Sequence, residues 1–250
     1  MQAILTQTTP MLMLTVVGFC LLSLGGSFMV LGLWRRIFHG SVGQVPTPAF
    51  LGIVATAWAL SLGFAASDVW TLAARADHAI SAERSSAKRL LGISEKRALD
   101  LSALHAAVTD YAKLVQTVEW EGMLAHGPDT RVEEAVQKIR LGLLEMVDRG
   151  IAAPLVNKAV QDFDELQDAR NDRLAISESA VDETKWYLVL CLTVMAMVTI
   201  AVVHADTPKA ARNALFIFTV VVGACLWIMA INANPYAGMP VNLIASLSRA

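Results

Sequence analysis

The sequence predicts an all-α membrane protein: four transmembrane helices, with a helical-bundle extramembrane domain inserted between helices 2 and 3. Three observations carry that expectation. Of 250 residues, 55% are hydrophobic and only 17% charged, against roughly a quarter charged in a typical soluble domain. The apolar residues gather into long charge-free runs near both ends. The charges are segregated, because fifteen of the 20 Lys and Arg and twenty of the 22 Asp and Glu lie between Thr71 and Lys185. The middle is therefore wet and the flanks are not. This divides the chain into helices 1 and 2 in residues 1–70, a helical domain in 71–185, helices 3 and 4 in 186–232, and a tail in 233–250.

The first run, Met11 to Trp34, holds no charge and exceeds the ~20 apolar residues that a helix needs to cross a bilayer. A cleaved signal peptide would want a basic start and a shorter apolar core. Here residues 1–10 hold no Lys or Arg, and Arg35–Arg36 follow the run, so a retained helix is expected. Gly40, Gly43, Pro46 and Pro48 break the chain into a short loop. The second run, Ala49 to Ser67, ends at Asp68, yet no Pro or Gly stops the helix before Leu91. Those 43 residues would span about 65 Å as a helix, so the second membrane helix is expected to project well beyond the bilayer.

Three amphipathic segments follow. Leu101, Leu104, Val108, Tyr111, Val115 and Val118 recur at the spacing of one helical face, and Gly127–Pro128 ends that helix. Thr130 with Glu133 forms a capping-box pattern, opening a helix with Val132, Val136, Ile139, Leu143 and Met146 inward. After Gly150 a further helix starts near Pro154, with Val156, Val160, Phe163 and Leu166 inward, and can run through Asp182 into the third membrane run. That run is Trp186 to Val203, with Trp186–Tyr187 placed as an interfacial aromatic anchor. A hairpin, His204 to Asn213, leads to the fourth run, Ala214 to Ile231.

The short hairpins carry Arg35, Arg36, Lys209 and Arg212. The positive-inside rule then puts both in the cytoplasm and the helical domain outside, although Arg75, Arg84, Lys88, Arg170, Arg173 and Lys185 near the domain's membrane ends pull the other way.

No enzyme signature is present: neither HExxH, GxSxG, a Walker loop nor GxGxxG occurs, so the chain does not read as an enzyme. Cys20, Cys191 and Cys225 sit in apolar runs without metal-ligand spacing, and no metal or cofactor is expected. No block is basic enough for nucleic acid. His39, His78, His105, His126 and His204 do not cluster. Glu178 and Asp182, with Glu183, share a helical turn; a solvated face is the simpler reading and a cation site the alternative. In the second run Ala55, Ala59, Gly63 and Ser67 recur every four residues, a stripe that either packs against a helix or lines a narrow pore. Asp68 is the first charge beyond it, at membrane depth or at the water interface.

Several stretches carry a resemblance: TAWALSLGFAASDVW from Thr56 to Trp70, VEWEGM from Val118 to Met123, FDELQDARNDRL from Phe163 to Leu174, and NPYAG from Asn234 to Gly238. Together they resemble the bestrophin-like family of bacterial membrane proteins, itself defined as a domain of unknown function, over roughly Ala49 to Val241. The motif positions are Glu119, Trp120, Arg170, Arg173, Pro235, Tyr236 and Gly238. Bestrophins are pentameric anion channels with four membrane helices per subunit and cytoplasmic helical domains that extend the pore. The resemblance therefore implies a multi-pass inner-membrane protein and a homo-oligomeric ion channel. Bestrophins place acidic residues after their Pro-Phe-Gly element; Met239 to Ala250 has none, so no calcium clasp carries over.

Two functions remain open at this point. One is an ion channel of bestrophin-like type, with Ala59, Gly63 and Ser67 setting the pore width and Asp68 near its mouth. The other is a non-transporting scaffold, sensor or accessory subunit that binds a protein partner through the helical domain.

Overall fold

A computed structural model describes residues 9–37, 48–120, 128–178 and 183–236. Among them are seven α-helices: α1 (Thr9–Ile37), α2 (Pro48–Ser94), α3 (Ser102–Leu114), α4 (Thr130–Asp148), α5 (Ala153–Glu178), α6 (Glu183–Val203) and α7 (Pro208–Asn232), with a π-helical turn, Val115–Glu119, directly after α3. Four of them, α1, α2, α6 and α7, are long and apolar enough to cross a membrane. The described residues fall into two compact units, one within Met1–Ala73 and Val181–Ala237, the other within Ala74–Ala180. Helix α2 begins in the first and ends in the second. The helix expected to run on through Asp182 cannot be followed, since residues 179–182 lie outside the described set, as does Gly127.

In the first unit α1 packs on α6 and α7, and α6 on α7. Their inner faces meet around Leu12, Cys20, Val189, Val222, Leu226 and Met229. From α2, Trp58 stacks at a tilt on Phe218 with ring centroids 5.2 Å apart and donates its indole N–H to Thr193 Oγ1 at 2.9 Å. Even so, α2 is the least covered helix: 11% of its most apolar stretch is buried, against 50% in α6.

Two expectations need correction here. Trp186 does not anchor at an outer surface; it is 3% exposed and belongs to the core, while Tyr187 is exposed. Spacing explains this, because Trp186, Val189, Thr193 and Ala196 fall on the inward face of α6. The loop of the second hairpin is also shorter than expected. Pro208 starts α7 six residues before Ala214, since its fixed φ suits a first helical turn, and Lys209 and Arg212 are helical.

In the second unit the end of α2 and helices α3, α4 and α5 enclose one apolar core that includes Leu90, Leu104, Tyr111, Ile139, Met146 and Leu166. All five residues expected inward on α4 are buried. On α5 the expectation fails at Val160, which is 40% exposed, whereas Ala159, Phe163 and Leu166 are inside. Helix α4 is capped by Asp129, not Thr130: the Asp129 carboxylate accepts the Arg131 backbone N–H at 2.9 Å. That frees Glu133 for a different role, described below. At the other end of α4, Gly150 takes φ +68°, the left-handed conformation that closes a helix, and the Ile151 N–H reaches the Met146 carbonyl at 3.1 Å.

Helices α3 and α4 approach closely where Gly142 faces Leu104. A Cβ on Gly142 would lie 3.0 Å from both Cα and Cβ of Leu104, so the helices would have to part. Gly142→Ala is expected to destabilise this unit by about 1–3 kcal/mol, read as a lowered melting temperature of the purified protein. An unchanged melting temperature would mean that the contact gives way freely.

Candidate functional site

Two arrangements stand out, one in each unit. In the first, the helical repeat places Ala55, Ala59, Gly63 and Ser67 along one slowly drifting line of α2. Ala59, Gly63 and Ser67 are exposed and Ala55 is half-buried, while Trp58, Ala65 and Val69 form the buried face. A Cβ at Gly63 would meet nothing within 4 Å. Among the described residues Ala59, Gly63 and Ser67 are therefore left largely uncovered by their own chain, while Ala55 is partly covered. Leu60 and Phe64 flank it, 59% and 60% exposed. Asp68 sits one residue beyond. Its carboxylate pairs with the Lys185 ammonium at the start of α6, so its charge is locally compensated. For a pair this exposed the gain in stability is small.

The second arrangement is a buried ion cluster. Arg173 on α5 is 0% exposed, Glu83 on α2 is 0%, Glu119 on the π-turn is 1% and Arg170 on α5 is 5%. Arg173 donates to Glu83 at 2.6 and 3.1 Å and to Glu119 at 2.7 Å. Arg170 donates to Glu119 at 2.6 Å and to Glu133 on α4 at 3.2 Å. The Tyr111 hydroxyl on α3 donates to Glu83 at 2.6 Å. The Arg173 guanidinium also lies 6.0 Å from the centre of the Trp120 ring. Two guanidinium cations and two carboxylates thus cancel in the interior, which a low-dielectric core requires.

The π-turn explains how Glu119 gets there. The periodicity of α3 put Val118 inward, but the Trp120 N–H bonds the Val115 carbonyl, five residues back. The wider turn brings Glu119 inside and leaves Val118 half-buried.

Burial raises the Glu119 carboxyl, but the hydrogen bonds and charges of Arg170 and Arg173 outweigh it and hold the group below the ordinary range. Tyr111 is pushed well above its ordinary value by burial, then by the Glu83 charge. A depressed carboxyl contributes stability that is fully present above its unfolded pKa, about 4.3, and is lost as pH falls through the folded value. The melting temperature is therefore expected to fall as pH drops below about 4, and a Glu119→Gln variant should show a shallower fall. Equal slopes would remove Glu119 from the acid response.

The motif positions Glu119, Trp120, Arg170 and Arg173 are thus brought together. Pro235 and Tyr236 form a turn after α7, where the Tyr236 N–H donates to Asn234 Oδ1 at 3.1 Å and Tyr236 is 5% exposed; Gly238 lies outside the described residues, as do His39, His126 and Asp182. Glu83 and Tyr111 were not singled out as site residues from the sequence. A signal for Glu83 existed: with Ile80, Ala87 and Leu90 it occupies the buried register of α2, a charge where an apolar residue belongs. Among the described residues no group of three or more His, Cys, Asp or Glu could hold a metal.

A family profile described as "Bestrophin-like domain" matches residues 6–239. Among solved structures, a bacterial bestrophin homologue from Klebsiella pneumoniae, determined as a single-substitution variant, aligns with a TM-score of 0.71 at 11% identity over 94% of this chain and 93% of that one. A second variant of that homologue aligns at 0.70 and 11% identity over 94% and 95%. A structure described only as a membrane protein aligns at 0.70 and 12% identity over 94% and 95%. At such identity the likeness is one of fold. No curated protein matches the sequence.

Proposed function

Because the chain belongs to the bestrophin-like family, we propose that it is a homo-oligomeric ion channel in a bacterial inner membrane, in which copies of α2 line an axial pore. The observation that carries this reading is the outer face of α2. In a bundle of apolar helices, a stripe of Ala59, Gly63 and Ser67 that stays exposed among the described residues suits a surface turned toward an axis shared with other copies. Small side chains leave room there for ions, and the flanking Leu60 and Phe64 suit contact with neighbouring copies or lipid. The helical domain, residues 71–185, is read as extramembrane, inserted between the second and third membrane helices and extending the path. Selectivity for anions, as the resemblance to bestrophins implies, is compatible with Asp68, since Lys185 compensates its charge; an unpaired acidic ring would favour cations.

The test is flux through the purified protein in liposomes, for chloride and potassium separately. Flux above empty liposomes supports the channel, and the preferred ion decides its sign of selectivity. A non-transporting scaffold that binds a protein partner is the second reading. It is favoured by Leu141, Leu144 and Val147, large apolar side chains 65%, 57% and 58% exposed on α4. The mass of the solubilised particle separates the two, because a monomer cannot form a shared axis.

A further inference from the structure

We propose that the membrane face formed by the end of α1 and the start of α7 is a seat for an anionic phospholipid, in which Arg36, Lys209 and Arg212 hold the headgroup and the exposed apolar residues beneath them hold the acyl chains. The inference lies within one unit of the fold and stands whether or not the chain conducts ions.

The two helix ends are packed together. Leu31 near the end of α1 and Ala211 and Leu215 at the start of α7 belong to one buried cluster, against which Trp34 also packs. Arg36 lies two residues beyond Trp34, and Arg212 directly follows Ala211, so cations from both helices gather at one end of the membrane unit, and Arg36, Lys209 and Arg212 are all exposed there. The chain supplies little to neutralise them. The two hairpins, residues 35–48 and 204–213, set Arg35, Arg36, Lys209 and Arg212 against the single acid Asp206.

Apolar surface continues directly from these charges. Arg212, Phe216 and Val220 follow one another every four residues along the exposed face of α7, and on α1 Met29, Leu33 and Arg36 do so at spacings of four and three. Each helix thus carries a cation at the end of an exposed apolar line. Helix α1 holds no charge from Met11 to Trp34, a length that fills the hydrocarbon core, so Arg36 stands at the depth where lipid phosphates lie.

Chemistry selects the occupant. A second copy presenting the same face would bring like charges together, which is unfavourable. An acidic protein would meet the cations and leave Phe216 and Leu33 uncovered. An anionic phospholipid satisfies both parts: its phosphate accepts charge-assisted hydrogen bonds from the guanidinium groups, and its tails lie along the apolar lines. A zwitterionic lipid carries the same phosphate, but its own ammonium offsets the attraction to a basic surface. Headgroups line both surfaces of a bilayer, so the assignment does not depend on which way the chain is inserted.

Native mass spectrometry of the full-length protein in detergent tests this. It counts bound phosphatidylglycerol and phosphatidylcholine of identical tails, with particle mass and melting temperature measured for every variant. The wild type is expected to prefer phosphatidylglycerol. Each cation removed, in Lys209→Gln and in Arg36→Gln/Arg212→Gln, is expected to lower that preference roughly fivefold. Lys96→Gln/Arg97→Gln, at an exposed basic pair in the other unit, should leave it unchanged. If the Arg36→Gln/Arg212→Gln variant does not fold, Lys209→Gln decides alone. Equal binding of the two lipids by the wild type overturns the seat. So does an unchanged preference in the folded variants, and so does an equal loss in Lys96→Gln/Arg97→Gln, which would make overall charge the cause. A drop in particle mass with the lipid preference intact would overturn it as well, and would assign the face to a contact between copies.

Discussion

Gly63→Leu is expected to reduce ion flux to the level of empty liposomes while leaving the protein folded and assembled. The reason is local. Among the described residues Gly63 faces open space: a Cβ there meets nothing within 4 Å, so a leucine displaces no described neighbour. Leucine is also a better helix former than glycine by about 1 kcal/mol, which works in favour of stability. The added bulk matters only where copies of α2 converge. There one isobutyl group per copy would narrow the passage and line it with hydrocarbon, and an apolar constriction excludes water and ions. A neighbouring control sharpens the result. Leu60 is exposed but 60° away around the helix, so Leu60→Ala should leave flux in place. Loss of flux in Gly63→Leu with retained oligomer mass would put α2 at the axis. Wild-type flux retained by Gly63→Leu would remove α2 from the pore wall.

The legible part of this fold was whatever follows from hydrophobic length and period. Four charge-free runs gave four helices long and apolar enough to cross a membrane, because length and apolarity are set within each segment. The absence of Pro and Gly from Asp68 to Leu91 predicted a long α2, and the helix runs on through Gly92 to Ser94. The inward face of α4 was legible for the same reason. What escaped depended on other segments. Trp186 reads as an interfacial aromatic by position, and only the packing of α1 and α7 against α6 shows that its face is interior. Val118 and Glu119 exchange roles through one π-turn, which no period of 3.6 anticipates. Thr130 and Asp129 both suit a helix start, and the choice between them decides whether Glu133 caps α4 or reaches Arg170. Of the candidate residues, Glu119, Trp120, Arg170 and Arg173 could be singled out as motif positions, but their partner Glu83 lies about 90 residues from Arg173 in the chain, and that pairing exists only in the fold.

The largest expected effect on stability is that of Arg173→Leu, a loss of about 3–5 kcal/mol. Leucine fills part of the volume and adds apolar contact, so a size argument alone predicts a mild change. Charge predicts otherwise. Arg173 is 0% exposed and is the group that Glu83 and Glu119 share. Its removal leaves Glu119 with Arg170, but takes from Glu83, also 0% exposed, the guanidinium that balances its charge, while the neutral Tyr111 hydroxyl still donates to it. A buried carboxylate that has lost its cation is far more costly than the pair was beneficial, because taking each ion out of water was offset only by the other. The double variant Glu83→Leu/Arg173→Leu removes both charges and is expected to recover much of the loss, so the double-mutant cycle should show a coupling of about 2–3 kcal/mol. Thermal unfolding of the four proteins in one detergent measures it. Additive losses would mean that the two side chains act separately, and that size rather than charge sets the stability of this core.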